Sequence, residues 1–104
     1  MNHNLITTVK IVDTLKTLNN WTDYRVAKEL DISTNTLYSW RKRGSVMSDD
    51  IGKKAAKLLG MEEKFILYCL ATERLMGSVV FEVLAEKEEE MIAENGGLES
   101  VKRL

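Results

Sequence analysis

The apolar positions of this chain repeat with a helical period almost from end to end. Leu5, Ile6, Val9, Ile11, Val12, Leu15 and Leu18 recur at helical spacing and predict a first helix over residues 5–18. Thr7, Thr8 and Thr14 are weak helix formers, so packing has to hold it. Asn19 and Asn20 end it, because Asn tolerates left-handed cap geometry, and Trp21 is expected to insert into the core beside it. A second helix is predicted over 23–30, capped by Thr22, with Asp23 in its first turn and Val26, Ala27 and Leu30 inward. Ser33 caps a third over 34–43, with Leu37 and Trp40 inward; Arg41, Lys42 and Arg43 suit its C-terminal end, and Gly44 stops it.

The pattern continues beyond Gly44. Ser48 caps a fourth helix with Asp49 and Asp50 in its first turn, an apolar face of Ile51, Ala55, Leu58 and Leu59, and a stop at Gly60. A fifth begins near Glu62, and its stretch FILYCLA (65–71) is apolar almost all round, which predicts deep burial or a surface shared with another element. Gly77 and Ser78 mark a break. A sixth helix is predicted over 79–94, with Val80, Val83, Leu84, Lys87 and Met91 roughly on one stripe and Glu86, Glu88, Glu89 and Glu90 making it acidic. Residues 1–4 and 98–104 are expected to be loose ends, and His3 is expected to have no role. The fold class is therefore all-α. One domain is expected over 1–76, and a helical extension, expected to be a dimerisation element, over 77–104.

Composition agrees, with no Pro, 7% aromatic residues and many Ala, Leu, Lys and Glu. Charge changes the picture more. The net charge is −1, but residues 1–60 hold ten Lys and Arg against six Asp and Glu, while 61–104 hold five against ten. A basic half joined to an acidic half is compatible with nucleic-acid binding by the first. The single cysteine, Cys69, excludes an intramolecular disulfide and fits a reducing, cytoplasmic setting. One His and one Cys are too few ligands for an ordinary zinc site. No apolar run is long enough for a membrane span, and no signal-peptide pattern opens the chain. No Ser/His/Asp or Cys/His set and no Gly-rich phosphate loop occurs, so neither catalysis nor a cofactor is expected, and with no visible effector domain neither is a small-molecule ligand.

The informative stretch is 22–44, TDYRVAKELDISTNTLYSWRKRG. Counted from Asp23, the fifth residue is the small Ala27, where two helices approach closely. The ninth is Asp31, at a turn where a positive φ is usual and Gly is the usual residue; Asp reaches that conformation at some cost. Val26, Leu30, Ile32, Leu37 and Trp40 fill the apolar positions that pin the two helices at a wide angle. With the following SDDIGKKAAKLLG (48–60), this stretch resembles the Cro/lambda-repressor (XRE-type) helix-turn-helix family, in the style of small phage-encoded regulators. The later ATERLMGSVVFEVLAEK (71–87) resembles, more distantly, the extra C-terminal helix of some phage-related proteins.

The resemblance implies a five-helix bundle, here with one additional C-terminal helix. It also implies sequence-specific binding of double-stranded DNA, usually as a homodimer on a palindromic operator, for transcriptional control. Thr34, Asn35 and Ser39 point away from Leu37 and Trp40 and match family positions that read bases, and Asn35 can pair bidentately with adenine. Tyr38 could touch a base or a phosphate. Arg41, Lys42 and Arg43 are expected to neutralise phosphates, with Arg41 the best placed of the three to reach a base. Thr22, Tyr24, Arg25 and Ser45 are further phosphate candidates. The homodimer is expected to form through the fifth and sixth helices, helped by Phe81, Leu84 and Met91. Two other classes remain open: a protein-interaction module, such as an antirepressor or antitoxin-like partner, and a recombination accessory protein of the excisionase kind.

Overall fold

The structure is a computed structural model, and it describes residues 3–101. Among these, every regular element is helical: α1 (Thr8–Asn19), α2 (Asp23–Glu29), α3 (Thr34–Arg43), α4 (Asp49–Leu59), α5 (Glu63–Arg74) and α6 (Phe81–Asn95), then one 3-10 turn at Leu98–Ser100. No helix among the described residues is long and apolar enough to cross a membrane.

Helix starts follow local chemistry. Thr7, Thr22, Ser33 and Ser48 each accept a hydrogen bond from the backbone N–H three residues on, satisfying a donor the helix leaves orphaned. Glu62 does the same for α5 through its carboxylate. The first helix begins later than residue 5 because Thr7 takes the cap, while Leu5 and Ile6 run non-helical and buried before it. The sixth begins at Phe81 instead of Val79; no side chain caps it, and Val79 stands almost wholly in solvent.

The core joins all parts of the chain. Ile11, Val12 and Leu15 of α1 meet Val26 and Ala27 of α2, Leu37 and Trp40 of α3, Ala55, Ala56 and Leu59 of α4, and Ile66, Cys69 and Leu70 of α5. Trp21 packs against this cluster from its edge, half-buried. Fully burying one large aliphatic side chain contributes roughly 1.5–3 kcal/mol, so these residues carry the gross stability. α4 and α5 come close at Gly52, where an added Cβ would stand 2.6 Å from the buried Leu70 Cδ1.

The expected loose end at 98–104 needs correction for its described part. Leu98 is buried in the common core, and Ile92 and Val101 pack on it. A leucine placed just after the Gly96–Gly97 bend can fold back where a polar tail could not. Residues 102–104, and 1–2 at the other end, lie outside the described residues. His3 is also corrected: its ring lies between Glu82 and Glu89 of α6. FILYCLA is buried at Ile66, Cys69 and Leu70 and half-buried at the other positions, with α6 packed along α5.

The connection between α2 and α3 is set by Asp31, whose φ is 58°. Its N–H donates to Lys28 O at 3.1 Å and that of Ile32 to Ala27 O at 2.9 Å, the paired bonds of a Schellman stop. A side chain in this left-handed region is strained, and the neighbouring Lys54 Nζ, 3.8 Å from a 91% exposed carboxylate, offsets little of it. Asp31→Gly is expected to stabilise the fold by about 0.5–1 kcal/mol, the relieved strain exceeding the extra unfolded-state entropy. A urea midpoint that moves down would contradict this.

Candidate nucleic-acid interface

α3 is built with two faces. Leu37 and Trp40 are buried, so the helix cannot rotate without exposing an indole. That orientation leaves Thr34, Asn35 and Tyr38 in solvent, with Tyr38 55% exposed, and Ser39 half-buried at the margin. Lys42 and Arg43 extend the same exposed surface to the helix end. Neither forms an ion pair among the described residues. Gly44, at φ 71°, then turns the chain away, and Ser45 follows in solvent with its N–H 3.4 Å from Ser39 O.

The start of α2 adds to this surface unevenly. Thr22 is exposed, its hydroxyl accepting from Arg25 N at 3.2 Å, and Tyr24 is 67% exposed. Arg25 is already engaged: Nε donates to Glu29 Oε2 at 2.8 Å, and the guanidinium sits 5.2 Å from the centre of the Trp21 ring.

Arg41 stands apart from its basic neighbours. Nε donates to Asp23 Oδ2 at 2.9 Å and Nη2 to Asp23 Oδ1 at 2.8 Å, a bidentate fork, and Nη2 also reaches Asp13 Oδ1 at 2.8 Å. Lys16 Nζ lies 3.1 Å from Asp23 Oδ1. The arginine thus ties the end of α3 to α1 and to the first turn of α2, which sets it apart from Lys42 and Arg43 as a candidate for phosphate or base. Hydrogen bonding from Arg41, and then from Lys16, holds the Asp23 carboxyl below its ordinary value despite partial burial. Sequence reading took Asp23 for a helix-dipole residue and missed this latch, because Asp13, Asp23 and Arg41 are brought together only by the tertiary fold.

Away from α3, an open groove of about 1080 Å³ lies where α1 and α4 end and α5 begins, floored by Leu18, Met61, Phe65, Tyr68 and Met91. No α3 residue lines it. Cys69 is fully buried; that burial, and then the nearby Glu88, push its thiol above the usual range. No cluster of His, Cys, Asp and Glu among the described residues is arranged to hold a metal ion. Comparison with protein-family profiles, with curated proteins and with solved structures finds no match for this chain.

The latch has a definite pH signature. Because the folded Asp23 pKa is lowered, its contribution to stability is full above the ordinary value of 3.8 and is lost as the pH falls through the folded value. Asp23→Asn is expected to weaken the fold at neutral pH and to lose less stability than wild type on going from about pH 5 to about pH 2. Urea midpoints measured across that range decide it; parallel curves for the two proteins would show that Asp23 is not paired in solution.

Proposed function

We propose that this chain is a sequence-specific double-stranded DNA-binding transcriptional regulator that reads the major groove with α3. One observation carries the reading. A helix anchored by Leu37 and Trp40 presents Thr34, Asn35 and Tyr38 outward on a surface that ends in the exposed cations Lys42 and Arg43. Those side chains match what a groove-reading helix needs: short hydrogen-bonding groups for base edges, and positive charge for the flanking phosphates. The resemblance of residues 22–60 to the Cro/lambda-repressor family supports the same reading, as does the left-handed turn at Asp31. Thr22, Tyr24 and Ser45 join Lys42 and Arg43 as phosphate contacts, and Arg41 keeps α3 at its angle from behind.

A single unit reads few base pairs, so useful specificity calls for a second copy. Leu75, Met76, Val79, Val80 and Val83 form an exposed apolar corner where α5 turns into α6, and in this reading they join two copies. Phe81, Leu84 and Met91, the residues first expected to do so, are half-buried. The same corner would serve a protein-interaction module, which is the second reading. Val83→Asp should halve the particle mass found by light scattering; equal masses for wild type and variant would count against pairing at this corner.

Selection of bound duplexes from a random pool tests the function. Enrichment of a palindromic site is expected, with affinity falling steeply as salt rises. Asn35→Ala should remove about 1–3 kcal/mol of discrimination at one base position, whereas Arg43→Ala should weaken all duplexes alike and reduce the salt slope by about 1. No enrichment, or equal effects of both variants on selected and random DNA, would contradict the assignment.

A further inference from the structure

Residues 3–7 lead into α1 as a non-helical run, with Leu5 and Ile6 buried. The run is held by carboxylates of the acidic half. His3 Nε2 lies 2.8 Å from Glu82 Oε2, and Nδ1 faces Glu89 Oε1, while the ring packs edge-on against Phe81. Ile6 N donates to Glu88 Oε2 at 2.7 Å. Thr8, the first residue of α1, donates to Glu73 Oε1 from both N and Oγ, each at 2.8 Å. The Thr8 hydroxyl in turn accepts from Met47 N at 3.0 Å. Met47 is the fully buried residue of the loop between α3 and α4, and its carbonyl accepts from Arg74 Nη2 at 2.7 Å. A continuous chain of bonds therefore runs from α6, through Glu88 and the backbone of residues 6–8, to the loop that follows Arg43.

Two links in this chain favour one protonation state on geometric grounds. Both ring nitrogens of His3 face carboxylate oxygens, and only the protonated ring donates to both. Glu88 is fully buried, and its Oε1 has no partner among the described residues. An ionised oxygen left without a donor there costs far more than the neutral acid does.

We propose that residues 3–8 are a releasable strap: with His3 and Glu88 protonated it lies along α5 and α6 and holds the α3–α4 loop through Thr8 and Met47, and loss of those protons frees it. The groups facing Glu88 are Tyr68, Cys69, Thr72 and Glu73 of α5 together with Ile6 N. Those facing His3 are Glu82 and Glu89. Burial raises the Glu88 pKa above its ordinary 4.5 against the opposing Ile6 N–H, and hydrogen bonds, first to Glu89 and then to Glu82, raise that of His3 above 6.5. Each raised value means stabilisation that is full below the unfolded pKa and lost as the pH rises through the folded one, so both groups loosen the strap in the same direction. Any consequence of that loop's release for DNA binding rests on the proposed function; the strap itself does not.

Amide hydrogen exchange on the full chain tests it. Corrected for intrinsic rates, protection at Ile6, Thr8 and Met47 should fall by about tenfold or more between about pH 5.5 and about pH 8.5, relative to the core amide of Leu15. Glu88→Gln, neutral at every pH and still able to accept from Ile6 N, should flatten much of that dependence, and His3→Ala should lower protection at the acid end. Ile6 and Met47 tracking Leu15 across the range would overturn the strap; that wild-type series decides even if a variant fails to fold. Duplex affinity measured in parallel separates the two ideas. A protein that binds no duplex at any pH loses the DNA reading, while the exchange data still judge the strap.

Discussion

The fold depends on how closely α2 and α3 pack. Val26, Ala27 and Leu30 from one side and Leu37 and Trp40 from the other are all withdrawn from solvent, and Ala27 leaves room for the approach. Once those five side chains are buried, the left-handed turn at Asp31 and the direction of α3 follow. So does the identity of its outward residues, because a helix fixed on one face has no freedom in what the other presents. The Arg41 fork to Asp23, with Asp13 beside it, ties the far end of the same helix to α1 and α2. Apolar packing sets the helix angle, and a charge-assisted network sets its end.

Charge is divided along the chain, and each half uses it differently. On α3, Lys42 and Arg43 face solvent and have no acidic partner among the described residues. On α6, several of the glutamates point at the protein's own N-terminal run: Glu82 and Glu89 at His3, Glu88 at Ile6. An acidic helix that looked like a solvated or partner-facing flank is, along one edge, a receptor for backbone N–H groups and an imidazole. The apolar corner from Leu75 to Val83 stays exposed.

The all-helical fold was legible because its signals are local. Caps at Thr22, Ser33 and Ser48, stops at Gly44 and Gly60, and apolar residues at helical spacing act within a few residues of each other, and those boundaries lie close to the observed ones. The exposed face of α3 was legible for the same reason. Contacts distant in sequence were not. Nothing near Arg41 announces Asp13 or Asp23, nothing near His3 announces α6, and Leu98 looked like tail because only the folded core shows the space it fills. The apolar period overstates the first helix because Leu5 and Ile6 fit it, although their burial comes from the non-helical run that leads into Thr7.

The proposed reading makes α3 the surface that meets DNA. The most direct measurement is backbone amide chemical-shift mapping of the full chain as a selected duplex is added. The largest changes are expected at Thr34, Asn35, Tyr38, Lys42 and Arg43, with little change along the outer face of α6. Changes centred on the Leu75–Val83 corner or on the groove beside Phe65, with α3 unmoved, would contradict it.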